Sequence, residues 1–296
     1  GAPTRRVRSR RAIDGHLLSR LLGLAVLLVG CGGPRAVTLA LAGDVFPTDA
    51  PLDARFAADL AGADLAIVNL EGVLSGRAPI PCPAGLRPAS CVRFVAPAAA
   101  AEHLRTAGVD MVSLANNHAL DAGPAGLTDT RAAVAGAGVL AVGAGPDAWA
   151  ARVVERAGVR VAVIGAGAVL SRGIPRAAFV AHTAYADPDE LTERLVPAVA
   201  AAAREADVVV VVLHWGREGS GAPGERQRRL ARALVAAGAH VVAGSGPHRQ
   251  QTVERIDGAI VAYSLGDGHR PGRPGWVLRV RVDVRPDRTR AELSDK

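Results

Sequence analysis

Val208-Val209-Val210-Val211-Val212-Leu213-His214-Trp215-Gly216 is the stretch on which the fold turns. Five β-branched residues and a leucine predict a strand. That strand runs straight into an imidazole and a Gly-containing loop. The same construction recurs outward along the chain. Residues 37–42 run into Gly43-Asp44, and residues 65–68 run into Asn69-Leu70-Glu71. Residues 111–114 run into Asn116-Asn117-His118, with Asp121 close behind, and 241–243 run into Gly244-Ser245-Gly246-Pro247-His248. A further strand is expected at 159–164. Ala/Leu-rich amphipathic stretches between the strands predict helices over 52–61, 98–107, 125–137, 190–205 and 225–237. Strands alternating with helices define an α/β domain. Residues 152–164 and 252–264 each read as a hairpin, turning at Ala157-Gly158 and Asp257-Gly258. The sheet structure is therefore expected to be mixed rather than purely parallel.

In open α/β sheets, ligands bind beyond the carboxyl ends of the strands. Each polar strand end also has a purely structural reading. Asp44 is a reasonable turn or helix cap, and Asn116-Asn117 are turn formers. His214 reads equally as a satisfied core imidazole, and Glu71 as a solvated loop acid. Taken together, five strand ends carrying Asp, Glu, Asn or His point to a divalent metal such as Mn, Zn or Fe.

Hydrophobic residues make up 49% of the chain and aromatics only 3%, so a sizeable core is expected, with few aromatic-lined surfaces. The net charge of +7 suggests a nucleic-acid partner, but its distribution argues against one. Arg5, Arg6, Arg8, Arg10, Arg11 and Arg20 all fall within the first thirty residues, against the single acid Asp14. The remainder is nearly neutral and has no basic helix or aromatic-basic stripe, so no nucleic acid is expected as a partner.

The basic residues 5–11 precede an apolar run at 21–30. That run is shorter than the ~20 residues a spanning helix needs and matches the core of a secretory signal. It ends in Leu28-Val29-Gly30-Cys31, which looks like a bacterial lipobox with Cys31 as the lipidated residue. The expectation is a signal peptide over 1–30, a lipid-anchored linker over 31–36, a folded domain over 37–285 and a polar tail over 286–296. An exported, membrane-tethered chain sits in an oxidising compartment, so Cys82 and Cys91, in a Pro-rich loop, are expected to pair.

The motifs resemble those of the CapA family, the poly-gamma-glutamate capsule synthesis proteins of the calcineurin-like metallophosphatase superfamily. The resemblance rests on Gly43-Asp44, Asn69-Leu70-Glu71, and Ser113-Leu114-Ala115-Asn116-Asn117-His118 with Asp121 and Gly123. It continues through His214-Trp215-Gly216-Arg217-Glu218, Pro223, Gln227, Gly246-Pro247-His248 with Gln251, and Tyr263-Ser264-Leu265-Gly266. It implies a metallophosphatase-like sandwich of two mixed β-sheets flanked by helices, in α-β-β-α layers, with a metal site at one edge. On the same basis Asp44, Glu71, Asn117, His214 and His248 are the implied ligands of one or two divalent ions, with Glu71 able to bridge them. His118 falls where the superfamily places its general acid, and Asp121 is its orienting partner.

Two departures stand out. The family usually has His-Pro-His where this chain has Gly246-Pro247-His248, so one ligand imidazole is missing. It usually has Asn-Phe after Ser-Leu-Gly, where this chain has Asp267-Gly268-His269, which makes Asp267 and His269 candidate substitute ligands. The function implied is metal-dependent phosphoester hydrolysis by an envelope lipoprotein, with the membrane and capsule or exopolymer synthesis machinery as partners. The alternatives are a non-catalytic accessory lipoprotein with a degraded metal centre and a general periplasmic phosphatase.

Overall fold

The computed structural model describes residues 35–86, 91–270, 275–285 and 289–294. The expected signal peptide and lipidated Cys31 lie outside the described residues.

The chain builds one sheet, then a second, and then returns to the first. Residues up to 142 supply β1 (Arg35–Val45), α1 (Ala54–Leu60), β2 (Leu65–Leu70) and the short pair β3 (Val73–Leu74) and β4 (Val95–Ala96). They continue with α2 (Ala101–Thr106), β5 (Met111–Ser113), α3 (Gly123–Gly136) and β6 (Leu140–Val142). The second sheet draws on β7 (Arg152–Arg156), β8 (Val159–Gly167), α4 (Arg176–His182), α5 (Leu191–Glu205) and β9 (Val208–His214). It closes with α6 (Glu225–Ala236), β10 (Val241–Ser245), β11 (Val253–Ile256) and β12 (Ala259–Ala262). The returning strands are β13 (Asp267–His269), β14 (Val277–Val284) and β15 (Thr289–Leu293).

The first sheet has the order β15-β14-β1-β2-β5-β6, with β13 paired in parallel to the end of β1. The second has the order β11-β12-β10-β9-β8-β7. Strands β1, β2, β5 and β6 run parallel in the first sheet, and β8, β9, β10 and β12 in the second. Both predicted hairpins form, as β7–β8 and β11–β12. Their turn residues Ala157, Gly158, Asp257 and Gly258 all have positive φ, as a tight hairpin of this kind requires.

The valine run explains the layering. Every residue of β9 is buried. Successive side chains point to opposite faces, so Val208, Val210 and Val212 enter the core between the sheets, where they meet Val37, Leu39 and Leu41 of β1. Val209, Val211 and Leu213 face the other way, onto Leu195 and Val199 of α5 and Leu230 and Leu234 of α6. The outer face of the first sheet is covered by Phe56 and Leu60 of α1, Leu104 of α2 and Leu127 and Val134 of α3. Burying each such valine contributes ~1.5–3 kcal/mol. The result is the expected sandwich of two mixed sheets between two helical layers.

Both domain boundaries need correction. The segment 286–296, expected to be a polar tail, contains β15, which pairs antiparallel with β14 and buries Ala291 completely. An edge strand with one inward apolar side chain reads as polar in sequence. At the other end, β1 begins at Arg35, inside the expected linker, because Arg35 pairs with Asp207 (3.0 Å) and so anchors the strand end.

Candidate metal centre

The parallel strands of both sheets deliver their carboxyl ends to one edge of the sandwich. At the end of β1 the register with β2 shifts between Ala42 and Asp44. Gly43 is required there, since a Cβ would lie 2.0 Å from the Gly266 carbonyl oxygen. The Asp44 N–H donates to that same carbonyl (3.0 Å), which fixes the bulge and aims the Asp44 carboxylate inward. β2 presents Asn69 and then Glu71, β9 ends on His214, and β10 leads into Gly246 and His248. Trp215 locks the loop after β9, with its indole N–H donating to the Tyr263 carbonyl (2.8 Å).

Asp44 and Glu71 are fully buried, and His214 is 2% exposed. Two groups of ligand-type atoms each fall within 4.8 Å: Asp44, Glu71 and His214, and Asp44, His248 and Asp267. Glu71 Oε1 lies 3.6 Å from His214 Nε2, 3.9 Å from His248 Nε2 and 3.9 Å from His118 Nε2. Neither Glu71 oxygen has a hydrogen-bond partner, and buried Asn117 Oδ1 has none either. A buried, unpaired carboxylate is costly, so these orphaned oxygens fit the expectation of divalent cations.

The electrostatics agree. Burial pushes the Asp44 carboxyl up, but the His214 and His248 imidazoles beside it win and hold it well below the usual carboxylate range. Glu71 is pushed well up, first by burial and then by the Asp44 charge, with His248 opposing. Burial disfavours charge on His248, yet Asp267, Asp44 and Glu71 together raise it to about 11. The carboxylates around His248 thus keep its imidazole positively charged.

The structure brings together Asp44, Glu71, His214, His248 and Asp267, with His118 Nε2 3.9 Å from Glu71. His118 Nδ1 lies 2.7 Å from Asp121 Oδ2, as an orienting pair requires. Asp267 joins the Asp44–His248 group, assisted by its pairing opposite Asp44 in register. Asp267 Oδ1 lies 3.0 Å from His248 Nδ1, and a Cβ on Gly246 would lie 3.3 Å from His214 Nε2. His269 is not brought in. Its Nε2 accepts from the Asp53 N–H at the start of α1 (3.2 Å), and its ring lies against Phe56. The register shift between the Asp44–Asp267 and Val45–His269 pairs separates the two side chains. Cys82 and Cys91 form a disulfide.

Sequence reasoning missed the amide layer beneath the ligands. Asn69 Nδ2 donates to Asp44 Oδ1 (2.7 Å), and Asn116 Nδ2 donates to Asn69 Oδ1 (3.1 Å) and the Leu70 carbonyl (2.8 Å). Ser245 Oγ meets His214 Nδ1 at 3.1 Å, and the Gly246 N–H donates to Asp44 Oδ2 (3.1 Å). Their only signal was position, one or two residues from a ligand.

A two-sheet sandwich with such a cluster at its carboxyl edge is the metallophosphatase-like fold that was expected. Residues 35–268 match the family described as bacterial capsule synthesis protein PGA_cap, and the chain belongs to that family. It is 35% identical over 168 residues to the PGA biosynthesis protein CapA of Bacillus subtilis, covering 55% of this chain and 43% of that protein. It is 34% identical over 165 residues to a probable polyglutamine synthesis accessory protein of Mycobacterium tuberculosis, covering 52% and 43%. The chain thus spans less than half the length of these curated relatives. Among solved structures, the NAD nucleotidase NadN of Haemophilus influenzae superposes with a TM-score of 0.51 at 12% identity, over 90% of this chain and 50% of that one. That likeness concerns the fold alone.

Proposed function

We propose that the chain is an exported, lipid-anchored, metal-dependent phosphoesterase-like protein that acts in capsule or exopolymer synthesis of the poly-gamma-glutamate type. The observation that carries this reading is Glu71, fully buried, with neither oxygen hydrogen-bonded and Oε1 within 3.9 Å of three imidazoles. Asp44, Glu71, His248 and Asp267 would hold one divalent ion, and Asp44, Glu71, Asn117 and His214 a second, weaker one. Such ions, when bound, polarise a phosphoryl group and lower the pKa of water. The chain's own contribution is proton delivery and orientation. His118 donates Nδ1–H to Asp121, so its Nε2 faces the ligand pocket and, when protonated, supplies a proton to a leaving oxygen. The amide layer of Asn69 and Asn116 holds the carboxylates in place. The Cys82–Cys91 bridge supports an oxidising compartment. Among the described residues no helix is long and apolar enough to cross a membrane; the proposed tether is the lipid on Cys31.

The test is metal content of the chain after incubation with Mn(II) or Zn(II), beside Asp44→Ala, His214→Ala and Asp267→Asn. Wild type should bind at least one ion, Asp44→Ala none, and the other two variants should each bind one position at least about tenfold more weakly. His118→Ala should retain metal while hydrolysis of an aryl phosphate falls about 100-fold or more. A folded chain that binds none of these ions would overturn the reading.

One observation favours the accessory alternative. Gly246 has φ +107°, and a Cβ there would sit 2.8 Å from the Trp215 carbonyl oxygen, so the loop is shaped to exclude the missing imidazole. Metal binding with no hydrolysis in wild type would select this second reading. Hydrolysis of small phosphates without any polymer would select a general phosphatase.

A further inference from the structure

Behind the His118–Asp121 pair, outside the ligand cluster, lies a buried ion pair with Arg93. Asp121 is fully buried, and Oδ1 has no hydrogen-bond partner. Its Oδ2 accepts from the Phe94 N–H (2.6 Å) and meets His118 Nδ1 (2.7 Å). The cation facing Oδ1 is the Arg93 guanidinium, with Nη1 at 3.7 Å and a side chain only 6% exposed. Arg93 is itself held in place: Nε donates to the Ile80 carbonyl (3.3 Å) and Nη2 to the Arg172 carbonyl (2.7 Å). The Ile80 N–H in turn donates to the Asp121 backbone carbonyl (2.7 Å).

Residues 80 and 93–94 therefore grip Asp121 from two limbs of one loop. Cys82 and Cys91 tie those limbs together. The second limb continues onto the ligand side, where the Phe94 carbonyl accepts from the Val73 N–H (2.9 Å), two residues after Glu71. The Phe94 ring lies 4.4 Å from the His118 ring. A buried carboxylate needs both a compensating charge and filled lone pairs to hold one orientation. Here Arg93 supplies the first and the Phe94 N–H part of the second.

We propose that Arg93 and Phe94, with their limb held by the Cys82–Cys91 bridge, are positioning residues that fix the Asp121 carboxylate and thereby the orientation and tautomer of His118. The proposal rests on reading His118 as the proton donor of the site. It makes the disulfide part of the functional architecture rather than a general brace, because breaking it frees the limb that carries both positioning residues.

The test is the His118 ring tautomer, read by long-range ¹H–¹⁵N NMR on the full chain at a pH where the ring is neutral. The His118 signals are assigned from their loss in His118→Asn. Wild type should show the proton on Nδ1. In Arg93→Met the ratio of Nδ1–H to Nε2–H should fall about tenfold, the scale of one charge-assisted hydrogen bond, and Arg93→Lys should recover part of it. Reducing wild type with a dithiol should shift the ratio in the same direction without altering any side chain other than the two cysteines. On an aryl phosphate, Arg93→Met should lower kcat about tenfold with KM and metal content unchanged. If Arg93→Met does not fold, the reduced wild-type chain alone decides. An unchanged tautomer ratio on reduction, or in folded Arg93→Met, overturns the proposal. Absence of bound metal would overturn the hydrolase reading and leave the tautomer result standing, so the two failures are distinct.

Discussion

Replacing Glu71 by glutamine should make the metal-free protein more stable and abolish its stabilisation by metal. In the chelated chain, Glu71 is a fully buried carboxyl whose two oxygens have no partner. An unsatisfied buried polar group costs ~1–3 kcal/mol, and more when charged. A neutral amide of the same shape removes the charge that burial penalises. A gain of about 2 kcal/mol corresponds to a rise in Tm of about 4–8 °C for a domain of this size.

The sign with pH follows from linkage. Burial and Asp44 raise the folded-state pKa of Glu71, so the folded chain holds a proton that the unfolded chain has released. The resulting stability is present at low pH and is lost as pH rises above the ordinary glutamate range. The advantage of glutamine should therefore be small near pH 4 and largest near pH 8. With Mn(II) at about 100 times its dissociation constant, wild type should gain about 2.7 kcal/mol and the variant almost nothing. Scanning calorimetry of both proteins, chelated and metal-loaded, at the two pH values reads all of this. If Glu71→Gln is less stable than wild type when chelated at pH 8, or gains as much from metal, the assignment of Glu71 is wrong.

Gly246→His should not restore a ligand. The positive φ and the 2.8 Å approach to the Trp215 carbonyl should cost ~1–3 kcal/mol of stability, with metal stoichiometry by mass spectrometry unchanged. His240 offers a second pH test, away from the metal cluster. Its Nδ1 accepts from the Val209 N–H (3.1 Å), and burial lowers its pKa. A depressed histidine contributes stability that is present above its unfolded pKa and lost as pH falls through the folded one. Denaturant titrations should show a smaller loss between pH 7.5 and pH 5 for His240→Gln than for wild type, and equal losses would refute the assignment.

What the sequence determined by itself was the set of strands and which of their ends carry chemistry. A run such as Val208–Leu213 is legible because strand formation and burial follow from local composition, and because parallel strands must release their loops at a common edge. The motifs at those strand ends, together with their resemblance to the CapA family, name Asp44, Glu71, Asn117, His118, His214 and His248 as candidates. Tertiary structure decided which loop side chains actually converge. Asp267 enters the cluster and His269, two residues later, does not, because a register shift against β1 separates them. The hydrogen bonds by which Asn69 and Asn116 hold the ligands, the closed φ at Gly246 and the grip of Arg93 and Phe94 on Asp121 were equally invisible. The edge strand β15 was hidden too, because its partner β14 and not its own polar composition makes it a strand. Each of these depends on contacts between segments far apart in the chain, and local propensity carries no information about such contacts.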